Sequence, residues 1–498
     1  MPHPEQADRL HLAQETKLAR KLSLTDSILL LAGGIIGSGV FLTAQDVASS
    51  TRRPWLFLTV WGIGMFITLL ACFAFAELGA MFPEAGGQYV YMREAYGEFV
   101  SFIYGWMIFT VSCGGTIAAL AAGFALYMGG IFPALDANQV VKNIGPFVIS
   151  YGHFAINLGP FALTRGHLVA VAAIAFQTII NIFGVRWGAV LSNIATWMKF
   201  AAIAAFILLG LTIGKGSWNH FASSTTIPAT AASPSLLAGV GVALIAVFWA
   251  FDGWVYITWV SGEVKDPERN LPRSMILGLL LVGVIYLAIN AVYLYALPIA
   301  GIAAETTVAR SAAVSMFSSG AARWLSLMIA ISCFGAMASC VVSGARVYYA
   351  MAEDGVFFKA LANVHPRWRT PVTSLVIQGI WSALLALSGK YDQLFTWVMF
   401  MMVLSYVLTV VALFVLRFKQ PDTPRPYRCA GYPWVPGLYV VLGSVWFFNV
   451  IFAKPKEALA GIGIVALGIP FYFYWRRQKR MAATLGTGIS GTLSSSLE

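Results

Sequence analysis

The sequence predicts an all-α polytopic membrane protein of about 12 transmembrane helices. Of its 498 residues, 59% are hydrophobic and only 11% are charged. Soluble globular proteins carry about 25% charged residues. A soluble core cannot account for that deficit over so long a chain, so most of the apolar surface must face lipid. The net charge of +11 would suggest nucleic acid as a partner, but basic residues also collect in the cytoplasmic loops of membrane proteins.

Twelve apolar stretches are long enough to be spans, since about 20 residues cross about 30 Å of hydrocarbon. They cover about 26–49, 55–80, 99–130, 167–184, 190–213, 236–261, 274–297, 322–350, 371–388, 392–416, 433–453 and 458–475. The shortest separation is the turn at Ser388–Asp392, between spans nine and ten. The five cysteines lie mostly inside these stretches, which favours packed thiols over disulfides or a metal site.

The charge distribution predicts the orientation of the spans. With the N-terminus in the cytoplasm, 21 of the 32 Lys and Arg residues lie on the inner side, 10 lie outside and Lys199 lies within a span. We therefore expect a cytoplasmic segment at residues 1–25 and a second one at residues 476–498. The latter is rich in Gly, Ser and Thr and is predicted to be disordered.

Span one contains a glycine-rich stretch that has two interpretations. Gly33 and Gly37 form a GxxxG pair, and small residues allow membrane helices to pack closely. The alternative is a helix that unwinds near mid-membrane and exposes the N–H groups of Gly37, Ser38 and Gly39. Span one alone does not decide between them.

Span six carries Asp252 and Gly253 about halfway along an apolar stretch. A charged residue at that depth costs about 2.5–3.5 kcal/mol on insertion scales, and it is tolerated where irregular backbone lines a cavity. Interrupted segments in spans one and six predict a 5+5 inverted repeat with a central binding site. The repeats would be residues 26–213 and 236–416, and the last two spans, 433–475, would follow them.

The backbone of such a site favours a zwitterion. Free N–H groups at the start of a half-helix attract an anion, and carbonyl groups at the end of a half-helix attract a cation. An α-amino acid carries both charges on adjacent atoms and would satisfy both sets. This recognition requires no catalytic side chain, cofactor or metal, so we do not expect an enzyme.

Four stretches resemble the L-type amino acid transporters of the amino acid–polyamine–organocation (APC) superfamily. They are Gly34–Phe41, Phe248–Trp254, Gly262–Pro272 and Ser343–Gly355, the last continued by His365-Pro366 and Thr370-Pro371, with a weaker match at Arg425–Pro433. The resemblance covers about residues 18–475. It implies a LeuT-type fold with broken helices 1 and 6, and a bacterial inner membrane location. The implied activity is sodium-independent, alternating-access transport of L-amino acids, with exchange expected.

The resemblance also assigns roles to individual residues. The substrate carboxylate would be bound at Gly37, Ser38 and Gly39. The substrate amino group would be bound by the carbonyls of Ile35, Trp249, Ala250 and Asp252. The gate or side-chain pocket would comprise Trp249, Tyr286 and Asn290, although ordinary helix packing remains an alternative for Tyr286.

Lys199 lies roughly nine residues into span five, on the order of 13 Å deep at the 1.5 Å rise of a helix. One interpretation is a side chain that reaches the membrane surface along its apolar stem. Sodium-coupled relatives hold a Na⁺ ion between the first span and other helices. The resemblance places the Lys199 ammonium in that neighbourhood as a fixed replacement, with Ser339 as a neighbour.

Asp252 leaves the side-chain preference open. Relatives that accept cationic amino acids or cystine can have aspartate there, whereas a carboxylate satisfied by local amides or water would have little influence. We expect neutral amino acids to be favoured, because desolvating a guanidinium needs more than one acidic partner to offset it. A carrier of cationic amino acids, or a proton-coupled amino acid or polyamine carrier, is the alternative.

Other classes of protein and partner fit less well. No ring of like charges or filter motif suggests a channel, and the six histidines lack ligand spacing. A sensor built on a transporter scaffold would use the same binding site and differs only in lacking flux. The loop at about 131–166 contains no cysteine, so a disulfide-linked heavy subunit is not expected.

Overall fold

The structure is a computed structural model. It describes residues 20–145, 147–151, 154–158, 161–183, 185–222, 227, 235–368, 370–388, 391–453, 455–479 and 481. Most of these residues lie in helices, as the apolar composition predicts. Most of the predicted N-terminal segment and of the predicted disordered tail lies outside the described residues.

The first half of the chain forms spans one to five. Span one comprises α1 (Leu24–Ile35), α2 (Gly39–Leu42) and α3 (Ala44–Thr51), and span two is α4 (Pro54–Met81). A connecting helix, α5 (Gln88–Tyr96), precedes span three, which consists of α6 (Glu98–Met107), a π-helical segment (Ile108–Cys113) and α7 (Gly114–Ile131). Spans four and five are α8 (Arg165–Ile182) and α9 (Val185–Thr212).

The second half of the chain forms spans six to twelve. Span six comprises α10 (Leu236–Phe251) and α11 (Tyr256–Trp259), and span seven is α12 (Pro267–Ala296). Two short helices, α13 (Ile299–Ala304) and α14 (Val308–Met316), lead to span eight, α15 (Ser319–Glu353). Spans nine, ten and eleven are α16 (Val372–Ser388), α17 (Tyr391–Lys419) and α18 (Trp434–Ala453). The last span consists of α19 (Pro455–Ala466) and a helix at 468–479.

Length and composition support membrane insertion of these helices. In the described part of the chain, eight helical segments are long and apolar enough to cross a membrane, and they belong to spans one to five, seven, eight and ten. Spans six, nine and eleven contain shorter apolar helices. The fold is therefore the all-helical, multi-span membrane fold that the sequence predicts.

The loop between spans three and four contains strands that the sequence analysis did not predict. β1 (Val140–Ile144) pairs antiparallel with β4 (Phe161–Thr164), and β2 (Phe147–Tyr151) pairs antiparallel with β3 (Phe154–Leu158). In the first pair Ile144 lies opposite Phe161, and in the second Tyr151 lies opposite Phe154. Strand pairing satisfies the backbone groups of this loop locally.

The helices pack in pairs that lie five spans apart in the sequence. The helix α4 packs against α12, α7 against α15, and α8 against α16. In the same way, α2 contacts α10 and α1 contacts α11. Each of the first four spans therefore meets its counterpart in the second half, which is the arrangement expected of two five-span repeats. The interruptions of spans one and six come together at the centre.

Candidate functional site

Span one is interrupted at residues 36–38, between α1 and α2. The helix α1 begins in a capping box, in which the Ser23 hydroxyl accepts from the Asp26 N–H at 3.2 Å. It ends at Ile35, and the Gly37 N–H donates to the Ile35 carbonyl at 2.8 Å. The prediction that the Gly37 amide is free is therefore wrong for this conformation, because a tight turn already uses it.

Span six is interrupted at the predicted aspartate and glycine. The helix α10 ends at Phe251, and Gly253 follows with a φ of +101°. A Cβ atom at Gly253 would lie 2.8 Å from the carbonyl oxygen of Gly34. Glycine is required here for two reasons, the left-handed backbone and the direct contact between the two interruptions.

Ser38 and Gly39, the predicted carboxylate site, lie where α2 meets α10. Both residues are buried. A Cβ atom at Gly39 would lie 2.5 Å from the Cα atom of Ala250, and one at Gly123 in span three would lie 3.0 Å from the Ser38 Cβ. The start of α2 is thus enclosed by spans three and six, and its backbone has no room for a larger residue at position 39.

Three of the four carbonyls predicted to bind an amino group are already engaged by the protein. The Tyr286 hydroxyl lies 3.0 Å from the Ile35 oxygen and 2.9 Å from the Ala250 oxygen. The Trp249 oxygen accepts from the Asp252 N–H at 3.1 Å. One hydroxyl therefore meets carbonyls from both interruptions, which places span seven against the centre of the molecule.

The predicted gate residues are buried, and Tyr286 lies in an aromatic cluster. The Tyr286 ring packs edge-on against Trp61, with centroids 5.7 Å apart, and lies 5.0 Å from the ring of Phe251. Trp249 is 5% exposed. The side chain of Asn290 donates to the Tyr286 carbonyl at 2.8 Å, and its Oδ1 has no hydrogen-bond partner in the described part of the chain.

Lys199 is 1% exposed and lies against the interruption of span one. Its ammonium donates to the carbonyl of Gly33 at 2.9 Å and to that of Ile36 at 2.7 Å. These carbonyls lie at the end of α1, where the helix dipole favours positive charge. The lysine thus ties span five to the interruption and does not extend toward the membrane surface.

The serine beside these carbonyls is Ser332, which the sequence analysis missed. Its hydroxyl donates to the Ile36 carbonyl at 2.9 Å, the oxygen that Lys199 also contacts. The hydroxyl of the predicted neighbour, Ser339, lies 3.5 Å from the Gly335 carbonyl of its own helix. Seven residues are two helical turns, so both serines share a face of α15 but lie at different depths.

Asp252 has a partner that the sequence analysis also missed. The Tyr406 hydroxyl in span ten donates to Asp252 Oδ1 at 2.6 Å, and the two residues are 4% and 6% exposed. The other oxygen, Oδ2, is buried without a hydrogen-bond partner among the residues the structure describes. No sequence signal joins two residues 154 positions apart in apolar spans.

Comparison with known proteins places this site in a family. A sequence profile described as amino acid permease matches residues 22–469. The chain belongs to the amino acid permease family. It is 30% identical to the serine/threonine exchanger SteT of Bacillus subtilis (strain 168), over 94% of this chain and 99% of that protein.

Mammalian relatives also align with the permease over most of their length. The human b(0,+)-type amino acid transporter 1 is 26% identical, over 93% of the permease and 89% of the relative. The human large neutral amino acids transporter small subunit 2 is 27% identical, over 93% of the permease and 82% of that relative. These full-length matches confirm the resemblance inferred from the motifs.

One end of the permease is held together by buried polar contacts. Arg346 in span eight donates to Glu263, after span six, at 2.9 Å, and their side chains are only 1% and 8% exposed. The backbone carbonyl of Glu263 accepts from the N–H groups of Lys21 and Leu22 at 2.8 and 2.9 Å. The segment before span one is therefore held against the loop between spans six and seven.

A second ion pair closes the same end between α5 and α15. Arg93 lies 2.8 Å from an Asp354 oxygen, which also accepts from the Tyr89 hydroxyl at 2.8 Å. Burial, more than the Asp354 charge, raises the pKa of Tyr89 above its usual range. The tyrosine therefore stays a neutral donor to Asp354.

Proposed function

We propose that this permease is a sodium-independent, alternating-access exchanger of L-amino acids that favours neutral substrates. The names of its relatives support amino acid exchange and transport, since one is a serine/threonine exchanger and another a large neutral amino acids transporter subunit. The geometry of the central site supports the mechanism, and the lysine at the interruption of span one carries the argument for sodium independence.

Lys199 supplies a fixed positive charge where two carbonyl groups converge. Its ammonium lies 2.9 Å from the Gly33 oxygen and 2.7 Å from the Ile36 oxygen. A bound Na⁺ ion would require the same kind of oxygen ligands, and it would repel the buried ammonium. Because the lysine is covalently attached, span one can be stabilised without a transported cation.

The two interruptions supply complementary backbone groups to an amino acid. The start of α2 at Ser38 and Gly39 suits a carboxylate, whereas the Ile35 and Ala250 oxygens suit an ammonium group. The Tyr286 hydroxyl contacts both oxygens in this structure. On this proposal a substrate ammonium displaces the hydroxyl, which links substrate binding to a movement of span seven.

The neutral preference rests on the surroundings of Asp252. The carboxyl group lies between apolar and aromatic residues, and Tyr406 already donates to one of its oxygens. A guanidinium would have to leave water for this setting with a single acidic partner, which does not offset the loss of hydration. The presence of an acidic side chain at this position is the observation that favours the alternative, a carrier of cationic amino acids.

We propose that the permease lies in the inner membrane of a bacterium, with its N-terminus and its C-terminus both in the cytoplasm. The support is the excess of Lys and Arg on one side of the twelve predicted spans. The end closed by Arg346 and Glu263 would then face the cytoplasm, and the structure would correspond to a state with its inner path closed.

Uptake into proteoliposomes tests the proposed function. The purified permease would be assayed with a panel of radiolabelled amino acids, with and without internal amino acid, external Na⁺ or a pH gradient. We expect uptake that requires internal substrate and is unchanged when choline replaces Na⁺. A several-fold dependence on Na⁺ would contradict the role of Lys199. Binding of amino acids without flux would instead favour a sensor.

A further inference from the structure

The Asp252 carboxyl group has one satisfied and one open oxygen. Tyr406 donates to Oδ1 at 2.6 Å, a length typical of a hydroxyl bonded to a charged carboxylate. Oδ2 is buried and has no hydrogen-bond partner among the described residues. Asp252 also lies at the C-terminal end of α10, where the helix dipole disfavours negative charge. Oδ2 can therefore accept a further hydrogen bond.

The Tyr406 hydroxyl is held in place by aromatic packing. The ring centroid of Tyr406 lies 5.9 Å from that of Phe75 in span two and 5.2 Å from that of Trp254 in span six. Phe75 and Trp254 are themselves 4.6 Å apart. Residues of three spans thus fix the direction from which the Tyr406 hydroxyl reaches Asp252. The packing of the ring therefore keeps the hydroxyl hydrogen-bonded to Oδ1.

An arginine side chain needs both oxygens of a carboxylate for its strongest geometry. A guanidinium binds a carboxylate through two parallel N–H···O hydrogen bonds. Tyr406 takes up part of the acceptor capacity of Oδ1 and competes there with a second guanidinium N–H, whereas Oδ2 has no donor and matches a single one such as a side-chain hydroxyl. A site with a buried acceptor also discriminates against a ligand that lacks the donor, because the acceptor then stays unpaired.

We propose that Tyr406 is a positioning residue for substrate selectivity. It holds Asp252 so that Oδ2 accepts one hydrogen bond from the hydroxyl of a short, neutral amino acid, and its own hydroxyl competes with bidentate binding of a guanidinium. This inference rests on the proposed amino acid transport, and it adds the class of substrate side chain that the site prefers. It predicts a preference for serine over alanine and a weak affinity for arginine.

Four variants in proteoliposomes test this role. They are Tyr406→Phe, Asp252→Asn, the double variant, and the control Tyr439→Phe, whose ring lines the same cavity as that of Tyr406. Serine, alanine and arginine would compete with the best-transported labelled amino acid. Ligand-induced shifts of the melting temperature would measure binding by variants that no longer transport.

We expect serine to compete about tenfold better than alanine in the parent, the size of effect that an unpaired buried acceptor produces. Asp252→Asn should reduce that ratio. Tyr406→Phe should improve competition by arginine about tenfold, and it should have no such effect when Asp252→Asn is also present. Tyr439→Phe should leave the relative affinities of the three amino acids unchanged.

Three results would overturn the inference. One is a Tyr406→Phe change that affects all three amino acids equally, since a structural role alone would do that. The second is that Tyr406→Phe improves competition by arginine equally well when Asp252→Asn is also present. The third is that Tyr439→Phe changes the selectivity in the same way as Tyr406→Phe. A parent protein that neither binds nor transports any amino acid would instead refute the proposed function.

Discussion

Lys199 is the residue on which the proposed coupling depends most directly. Its ammonium contacts two carbonyl groups at the interruption of span one. Lys199→Ala removes the charge but no group proposed to touch the substrate. We expect transport to fall at least tenfold while amino acid binding, measured by thermal stabilisation, changes much less.

Lys215 provides a matched control for this substitution. It is an exposed lysine that follows α9, the helix that carries Lys199. Lys215→Ala should transport like the parent. Equal loss of binding and transport in Lys199→Ala would show that the lysine supports the binding site itself, and it would contradict a separate coupling role.

Gly39 and Ser38 test the proposed carboxylate site. Gly39→Val places a side chain 2.5 Å from the Ala250 Cα atom, and Ser38→Pro removes an N–H donor. We expect both to abolish binding, and we expect amino acid methyl esters to compete poorly because they lack the anion. Uptake and competition assays measure both effects.

Gly62 in span two is the control for the glycine substitution. A Cβ atom there would meet no atom within 4 Å, so Gly62→Val should retain binding. If amino acid esters or decarboxylated amines competed as well as the parent amino acids, the carboxylate site would be wrong.

At the scale of elements, the pair of Arg346 and Glu263 joins span eight to the loop after span six. Removing one partner of a buried ion pair costs about 3–5 kcal/mol because the other charge is left unpaired. We therefore expect Arg346→Ala and Glu263→Ala each to lower the melting temperature in detergent by several degrees. Replacing both residues by apolar ones should recover part of that loss.

The contact between Lys479 and Glu98 is the matched control for the buried pair. Its side chains are 47% and 30% exposed, and exposed ion pairs contribute about 0–1 kcal/mol. Lys479→Ala should leave the melting temperature nearly unchanged. Equal effects of Lys479→Ala and Arg346→Ala would mean that the buried pair has no special role in closing this end.

The interruptions show what a sequence reveals about an element. A glycine-rich segment in span one and an aspartate in span six mark where the helices stop, because both features conflict locally with a continuous membrane helix. The contact between Gly253 and Gly34 was not predictable in the same way. It depends on how two separate spans approach each other, and the local sequence of either span does not determine that approach.

At the scale of the whole molecule, the predicted orientation is testable by cysteine labelling. All five native cysteines are buried, and burial raises the pKa of the Cys429 thiol to about 12. Background labelling by a maleimide should therefore be low. Asn138 and Asp422 are exposed and lie in loops that the proposed orientation places on opposite sides of the membrane.

We expect Asn138→Cys to react with an impermeant maleimide in intact cells and Asp422→Cys to react only after permeabilisation. The basic clusters predict this outcome, because loops rich in Lys and Arg stay in the cytoplasm. Labelling of Asp422→Cys in intact cells would reverse the proposed topology, including the side closed by Arg346 and Glu263.

The sequence by itself determined the fold class, the positions of the spans and the two interrupted helices. Apolar length and a charge at mid-membrane depth are properties of a local segment, so they can be read without knowing its neighbours. The tertiary structure alone decided which side chains meet. Ser332 and Ile36 are 296 positions apart, and Tyr406 and Asp252 are 154 apart. Because these spans are apolar on nearly every face, their sequences do not encode the rotation and depth that bring such partners together.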